Sequence, residues 1–412
     1  MTDRREFLKI AGAATLGASW AGSAAAYSTV TAATARDAFA FPEDRVPMNA
    51  ANLCPMPIAV RDAISARDQA LDHDMSHVSR GRVEQLKEQA RDRLATQLGV
   101  SPDTLAIVRN TSEANNVVVQ GMPLEAGDEV LLWDQNHPSN GVAWDVQASR
   151  QGFAVKRLSV PASVRSVDEV VGLFAAEASA RTRVVSFTHI SNVSGTRLPA
   201  ADICRALHAK YPEVHVHVDG AQTWGVVDVD LARLDCDSFS ASAHKWYMGP
   251  REVGLLYVRE TRIAKLWPNC VSVPWGSSPA PEVRGARRFE AFGQRDDSAI
   301  AALSDTVAFH ERLTPAAIER RAALLAERLR DGLEDLSVQF VSPLHAAFSS
   351  NVVILSAPPA NGSVLVQRVL DDAGIIVAAV GGLRMTPHVY NTEGHIDRMI
   401  DAVAGLRDLL AG

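Results

Sequence analysis

Ser240-Ala241-Ser242-Ala243-His244-Lys245-Trp246 is the stretch on which the reading of this chain turns. It leaves a short strand and places one lysine just beyond the strand end. Twenty-six residues before that lysine, His217-Val218-Asp219-Gly220-Ala221-Gln222 ends another strand on an aspartate. A third stretch, Asn110-Thr111-Ser112-Glu113-Ala114-Asn115-Asn116, follows a strand and opens a helix. Backbone N–H groups at a helix N-terminus bind a phosphate directly, and small hydroxyl residues add donors. Taken singly these are a solvated lysine, a turn aspartate and a helix cap on Thr111 or Ser112. Taken together they are the parts a pyridoxal phosphate (PLP) site needs. An amine holds the cofactor as a Schiff base, and a carboxylate beside the pyridine nitrogen keeps the ring protonated. The protonated ring is the electron sink that stabilises a carbanion at Cα.

Working outward, short apolar runs alternate with helical patterns, which predicts an α/β fold with a mostly parallel sheet. Expected strands are Leu105–Arg109, Glu129–Trp133, Ala154–Leu158, Arg183–Thr188, Val214–Asp219, Ser238–Ala241 and Val253–Val258. Helical stretches include Val83–Leu98, Val167–Ala178 and Ala200–Lys210. Pro268–Pro281 reads as an irregular loop, followed by helices over Ala299–His310 and Ala316–Gly332. Strands Asn351–Leu355, Ile375–Ala379 and Leu383–Thr386 and helices Ser363–Ala373 and Gly394–Leu410 predict a smaller C-terminal α+β domain. The expected division is a large domain over 44–310 and a small one over 311–412.

The 412 residues can bury a large core. A hydrophobic share of 47% beside 22% charged residues is that of an ordinary globular chain. A net charge of −7 gives no basic surface for nucleic acid. Cys54, Cys204, Cys236 and Cys270 have no C-x-x-C spacing, which argues against a zinc or redox pair. Residues 1–26 read as an export signal. Arg4-Arg5-Glu6-Phe7-Leu8-Lys9 is a twin-arginine pattern, and Ala24-Ala25-Ala26 offers a cleavage site. The apolar run Ile10–Trp20 is too short and too rich in Ala and Gly for a stable membrane span. Export by the twin-arginine translocase to the periplasm is expected, with 27–43 as a flexible lead-in.

Other side chains fall where a PLP ring would need them. His137, in Asp134-Gln135-Asn136-His137-Pro138, follows a strand and offers a planar ring to stack on the pyridine face. Asn192 and Gln222 can donate to the pyridine 3-oxygen. Ser242 and His244 flank Lys245 and can reach the phosphate.

These motifs make the chain resemble the class V aminotransferase superfamily of fold-type I PLP enzymes, which includes cysteine desulfurases, C–S lyases and isopenicillin N epimerase. The resemblance is carried by Asn110-Thr111-Ser112-Glu113-Ala114, Ser191-Asn192-Val193-Ser194-Gly195-Thr196, Val218-Asp219-Gly220-Ala221-Gln222 and Ser242-Ala243-His244-Lys245. Arg288-Phe289-Glu290-Ala291-Phe292-Gly293-Gln294-Arg295-Asp296 and Arg384-Met385-Thr386-Pro387-His388-Val389-Tyr390-Asn391-Thr392-Glu393 complete it, so that it spans residues 45–405. It implies that Lys245 is the Schiff-base lysine, that Asp219 partners the pyridine nitrogen and that His137 stacks. It places Thr111, Ser112, Glu113, Ser242 and His244 around the phosphate and Asn192 and Gln222 at the 3-oxygen. It implies that Arg384 pairs with the substrate carboxylate, with Asn49 on the same side. It also implies a homodimer in which the Gly293 segment reaches the partner's phosphate, although Gln294 stands where Thr is common.

The resemblance says less about the reaction. Desulfurases carry a persulfide-forming Cys on a loop shortly before the Arg384 motif, and Ile375–Leu383 contains none. The Arg384–Thr392 ending and the Gly293–Asp296 segment are similar to the isopenicillin N epimerase branch. An epimerase-like or side-chain-tailoring enzyme acting on an amino acid or peptide-derived amine ranks first. A C–S lyase or an aminotransferase ranks next, and a non-enzymatic PLP-binding scaffold last.

Overall fold

The computed structural model describes residues 31–161, 163–273 and 283–411. The twin-arginine pattern, its cleavage site and 274–281 of the expected loop lie outside the described residues. Twelve strands are described. They are β1 (Val46–Pro47), β2 (Leu105–Val108), β3 (Glu129–Trp133), β4 (Ala154–Leu158), β5 (Thr182–Thr188), β6 (His215–Asp219), β7 (Ser238–Ser242), β8 (Gly254–Val258), β9 (Val353–Leu355), β10 (Ile375–Ile376), β11 (Ala378–Ala379) and β12 (Leu383–Met385).

Seven of them form one sheet in the order β2-β8-β7-β6-β5-β3-β4. All run in one direction except β8, which is antiparallel to both neighbours. Both faces are covered, as a parallel sheet requires. Leu131 and Trp133 of β3 pack with Phe174, Ile203 and Leu207. Val130 and Leu132, pointing the other way, pack with Val117, Trp144 and Phe289. The helices that matter for the site are α1 (Ile58–His73), α2 (His77–Leu98), α3 (Thr111–Gly121) and α4 (Pro138–Gln151).

A second, three-stranded antiparallel sheet has the order β11-β12-β9. Helices Pro315–Glu334, Gly362–Ala373 and Glu393–Ala404 share an apolar core with it through Leu325, Leu365, Met385 and Ile396. The early strand β1 joins this region by pairing in parallel with β10. Met48 N–H then bonds Ile376 O at 2.9 Å, and Thr386 N–H bonds Met48 O at 2.9 Å. That docking sets Asn49 beside Thr386.

Several expected boundaries move. The expected strand Ile375–Ala379 is two short strands, β10 and β11. The expected helix Ala299–His310 is two helices, Asp297–Ala301 and Leu303–Leu313. The closing helix breaks at Gly405 into Glu393–Ala404 and Arg407–Leu410. α1 and α4 come as additions. α1 buries two side chains, Val60 and Arg67, and Arg67 is paired with Asp305 at 2.5 Å.

Candidate active site

The groups singled out by sequence gather at the carboxyl ends of β2, β3, β5, β6 and β7, where open α/β sheets bind ligands. Asp219 ends β6 and is buried. Its Oδ1 accepts from Ala221 N–H at 3.0 Å, and its Oδ2 accepts from Asn115 Nδ2 at 2.8 Å. Glycine follows at 220 for a steric reason. A Cβ there would lie 1.9 Å from the Phe239 ring.

Lys245 lies beyond the end of β7, and part of its surface stays open. Burial lowers its pKa. Asp219 acts the other way, and Arg384 adds to the lowering. The turn behind it is fixed by Gly225, whose φ is +98° and whose Cβ would meet Tyr247 N at 2.4 Å.

The 110–113 loop opens a helix as expected, but the cap is Asn110 rather than Thr111 or Ser112. Asn110 caps α3 by accepting Glu113 N–H at 3.0 Å. Thr111 N–H donates to Ser242 Oγ at 2.7 Å, and the two hydroxyl oxygens lie 2.6 Å apart. Ser112 is exposed at the first turn. His244 Nδ1 is buried without a hydrogen-bond partner. Burial and the neighbouring Lys245 hold the His244 pKa down at about 4. A helix N-terminus with two hydroxyls and an orphaned imidazole nitrogen fits a phosphate.

The ring contacts fit as well. His137 caps α4, its Nδ1 accepting Ser139 N–H at 3.2 Å with its ring exposed. Partial burial and Lys245 lower its pKa, against Asp219, so its neutral ring is free to stack. Gln222 is buried and oriented. Its Oε1 accepts from Trp246 Nε1 at 2.7 Å, and its Nε2 donates to Ala51 O at 3.0 Å, leaving one N–H to offer. PLP can therefore be held by Thr111, Ser112, Ser242 and His244 at its phosphate and by Asp219, His137 and Gln222 around its ring, while Asn192 enters the site through its backbone oxygen at Arg384.

Arg384 lies on β12 and is buried. Its Nη1 donates to Asn192 O at 3.0 Å and its Nη2 to Asn49 Oδ1 at 3.3 Å. Its Nε is buried without a partner. No carboxylate pairs with it among the described residues, and burial lowers its pKa to about 10. A buried guanidinium with neutral partners and an open edge is a site for an anion, and a carboxylate matches its planar fork.

Two sequence candidates stand apart. Glu113 turns to Arg109, accepting its backbone N–H at 2.8 Å and its Nε at 2.6 Å. An anion in that place would oppose a phosphate. Gln294 accepts from Arg80 at 2.8 Å, in a separate cleft of about 510 Å³ lined by Val83, Glu290 and Phe292. Two residues without an expected role enter the site. Asn115 holds Asp219, and its position one helical turn after Thr111 puts both on one face of α3. His189 bonds Asp219 O through its backbone, and its Nδ1 is buried and unpartnered.

Three of the four thiols are buried, and Cys270 is half-buried. Cys204 and Cys236 are buried in the sheet core. Cys54 bonds His244 O through its N–H, but burial pushes its thiol up to about 12 and its Sγ lies 3.4 Å from Tyr390 OH. The described residues hold no cluster able to bind a metal and no helix long and apolar enough to cross a membrane.

The fold is that of fold-type I PLP enzymes. The aminotransferase class V family model matches residues 51–398, and the chain belongs to that family and is PLP-dependent. Isopenicillin N epimerase of Amycolatopsis lactamdurans is 32% identical over 378 residues, which cover 87% of this chain and 94% of that protein. The Streptomyces clavuligerus isopenicillin N epimerase is 32% identical over 336 residues, 77% and 84% of the two chains. Among solved structures, the cystine C–S lyase C-DES, in complex with its product cysteine persulfide, superposes with a TM-score of 0.81. It is 25% identical, with 88% and 97% of the chains covered. A C-DES variant has also been solved with glycine covalently linked to the PLP cofactor.

Proposed function

We propose that this enzyme works at Cα of an amino acid, or of the amino-acid end of a peptide-derived molecule, in the manner of an isopenicillin N epimerase. The observation that carries the reading is Arg384, a buried guanidinium with no anion of its own. It sits where a substrate carboxylate would be held within reach of Lys245. PLP, when bound, supplies the electron sink that makes a Cα proton removable.

The chain does the rest. Arg384 and Asn49 orient the carboxylate, and Lys245 moves the proton at Cα. A lysine whose pKa is lowered by burial suits that task. Asp219 keeps the pyridine nitrogen charged, and Gln222 holds the 3-oxygen. His137 covers one ring face, and Thr111, Ser112, Ser242 and His244 anchor the phosphate. The 32% identity to two epimerases and the lack of a cysteine over Ile375–Leu383 favour proton exchange over a persulfide route. The likeness to a cystine C–S lyase keeps β-elimination as the second reading, since that chemistry needs no thiol of the enzyme. The twin-arginine pattern supports export to the periplasm, and the family resemblance supports a homodimer.

The test is to load the purified mature protein with PLP and incubate it with amino acids in D2O. Deuterium at Cα of recovered amino acid, with inversion and no keto acid, is expected. Stoichiometric keto acid means transamination, and pyruvate with sulfide from a sulfur amino acid means elimination. Either would overturn the epimerase reading.

A further inference from the structure

Asn115 is fully buried on α3, and its amide is bonded on every side. Nδ2 lies 2.8 Å from Asp219 Oδ2 and 3.3 Å from Ser139 Oγ. Oδ1 lies 2.5 Å from Ser240 Oγ and 3.0 Å from His217 Nε2. A carboxylate only accepts hydrogen bonds, so the NH2 side of this amide must face Asp219. The opposite flip would set oxygen against oxygen.

That orientation fixes the groups behind it. Oδ1 accepts, so His217 carries its proton on Nε2. Its imidazole is wholly buried, and burial pushes its pKa down to about 3, so it holds that one proton only. His217 Nδ1 therefore accepts from Ser238 Oγ at 2.7 Å. Ser238 Oγ, having given its hydrogen, accepts from His215 Nε2 at 2.8 Å. From His215 through Ser238, His217 and Asn115, every donor points toward Asp219.

A second arm leaves the same amide. Ser139 Oγ accepts the other Nδ2 hydrogen and gives its own to His137 Nδ1 at 2.9 Å. Ser139 N–H donates to the same Nδ1 at 3.2 Å, and this backbone bond keeps the His137 proton on Nε2. The titratable groups within electrostatic reach of Asp219 are Lys245, His137 and His217.

We propose that Asn115 is the positioning residue of this site, one amide that aims Asp219 at the ring nitrogen, backed by the His217–Ser238–His215 relay. The inference rests on the cofactor roles of Lys245 and Asp219, whichever substrate reacts. Chains of like-oriented hydrogen bonds in a dry interior reinforce one another, so the amide acts on the ring electronically as well as sterically.

The test is Asn115→Leu, similar in size and unable to hydrogen-bond. The loaded variant should hold PLP on Lys245. The pH midpoint of the bound cofactor's absorbance change should move by about one unit or more. kcat should fall about tenfold or more, with KM within about threefold because Arg384 is untouched. A lower Tm with an unchanged absorbance profile in the loaded fraction would mean a packing role only and would overturn the proposal. If Asn115→Leu does not fold, Ser240→Ala decides. It removes one of the two bonds to Oδ1 and should move the midpoint by a smaller but measurable amount. No movement in that variant overturns the proposal.

Discussion

Arg91 and Arg384 are both buried, 0% and 4% exposed, and the protein treats them in opposite ways. Arg91, on α2, meets Glu290 at 2.7 Å and Glu88 at 2.8 Å and also donates to Leu105 O at 2.6 Å. Burial alone would lower its pKa, but Glu290 and Glu88 raise it above the ordinary arginine value. Arg384 has a carbonyl oxygen, an amide oxygen and an unpartnered Nε. Burial lowers its pKa unopposed. Lys245 belongs with Arg384, since it has no salt bridge among the described residues and a lowered pKa. The scaffold closes the charge of Arg91 within itself, and the site leaves Arg384 and Lys245 without a paired carboxylate among the described residues. Function then concentrates where the cost of burying charge is not offset internally.

Substitutions should separate the two kinds of cation. Lys245→Ala should give the largest effect, lowering turnover by on the order of 10⁴-fold or more while leaving the thermal unfolding of the PLP-free protein near that of wild type. Borohydride reduction followed by peptide mapping should find the cofactor on Lys245 in wild type and on no residue in the variant. A cofactor fixed to another lysine removes Lys245 from its role.

Arg91→Met should do the reverse. It leaves Glu290 buried without its main partner, so denaturant unfolding should reveal a loss of about 3–5 kcal/mol. Turnover per folded, loaded site should stay within about twofold of wild type, because Arg91 touches no group of the site. Turnover that falls in parallel with stability would erase the distinction between the two arginines.

Arg384→Lys keeps the charge and loses the fork. kcat/KM should drop by about 10–1000-fold, the range of one or two charge-assisted hydrogen bonds plus lost orientation. The Tm should stay close to that of wild type, since no internal carboxylate loses its cation. The smallest effect concerns acid. Burial would raise the Glu88 pKa, but hydrogen bonds from Arg287 and Arg91 win and bring it down to about 2. A carboxyl whose pKa is depressed on folding stabilises the fold above its unfolded value near 4.5 and loses that contribution as pH falls through about 2. Glu88 is partly exposed, so the loss is about 1–2 kcal/mol after solvent screening. Glu88→Gln should flatten the stability curve over that window, and an unchanged slope would deny Glu88 this part.

Much of this was legible in the sequence because the site uses strand ends. Asp219, Ser242 and Lys245 follow runs whose apolar pattern marks a buried strand, and their spacing sets them on adjacent strands β6 and β7. The helix opening near Thr111 was legible, although the cap expected on Thr111 or Ser112 falls on Asn110. α1 was not, because its buried side chains are Val60 and the ion-paired Arg67 rather than an apolar stripe. α4 was hidden by a polar start, His137-Pro138-Ser139-Asn140, which reads equally well as a loop. Proline suits the first position of a helix, and here the histidine is the cap. The part played by Asn115 depends on four partners drawn from β6, β7 and α4, 24 to 125 residues away in sequence. No local pattern encodes such a meeting. The quoted motif contained Asn115, but only packing shows which way its amide must point.

The most direct measurement takes the amino acid that exchanges its Cα proton in D2O and compares it with its own carboxamide, on wild type and on Arg384→Lys. If Arg384 is an open cation awaiting a carboxylate, wild type should favour the acid over the amide by about 10–1000-fold in kcat/KM, and the variant should lose most of that preference. Equal use of acid and amide by wild type would contradict the account, because the buried guanidinium would then serve no substrate carboxylate.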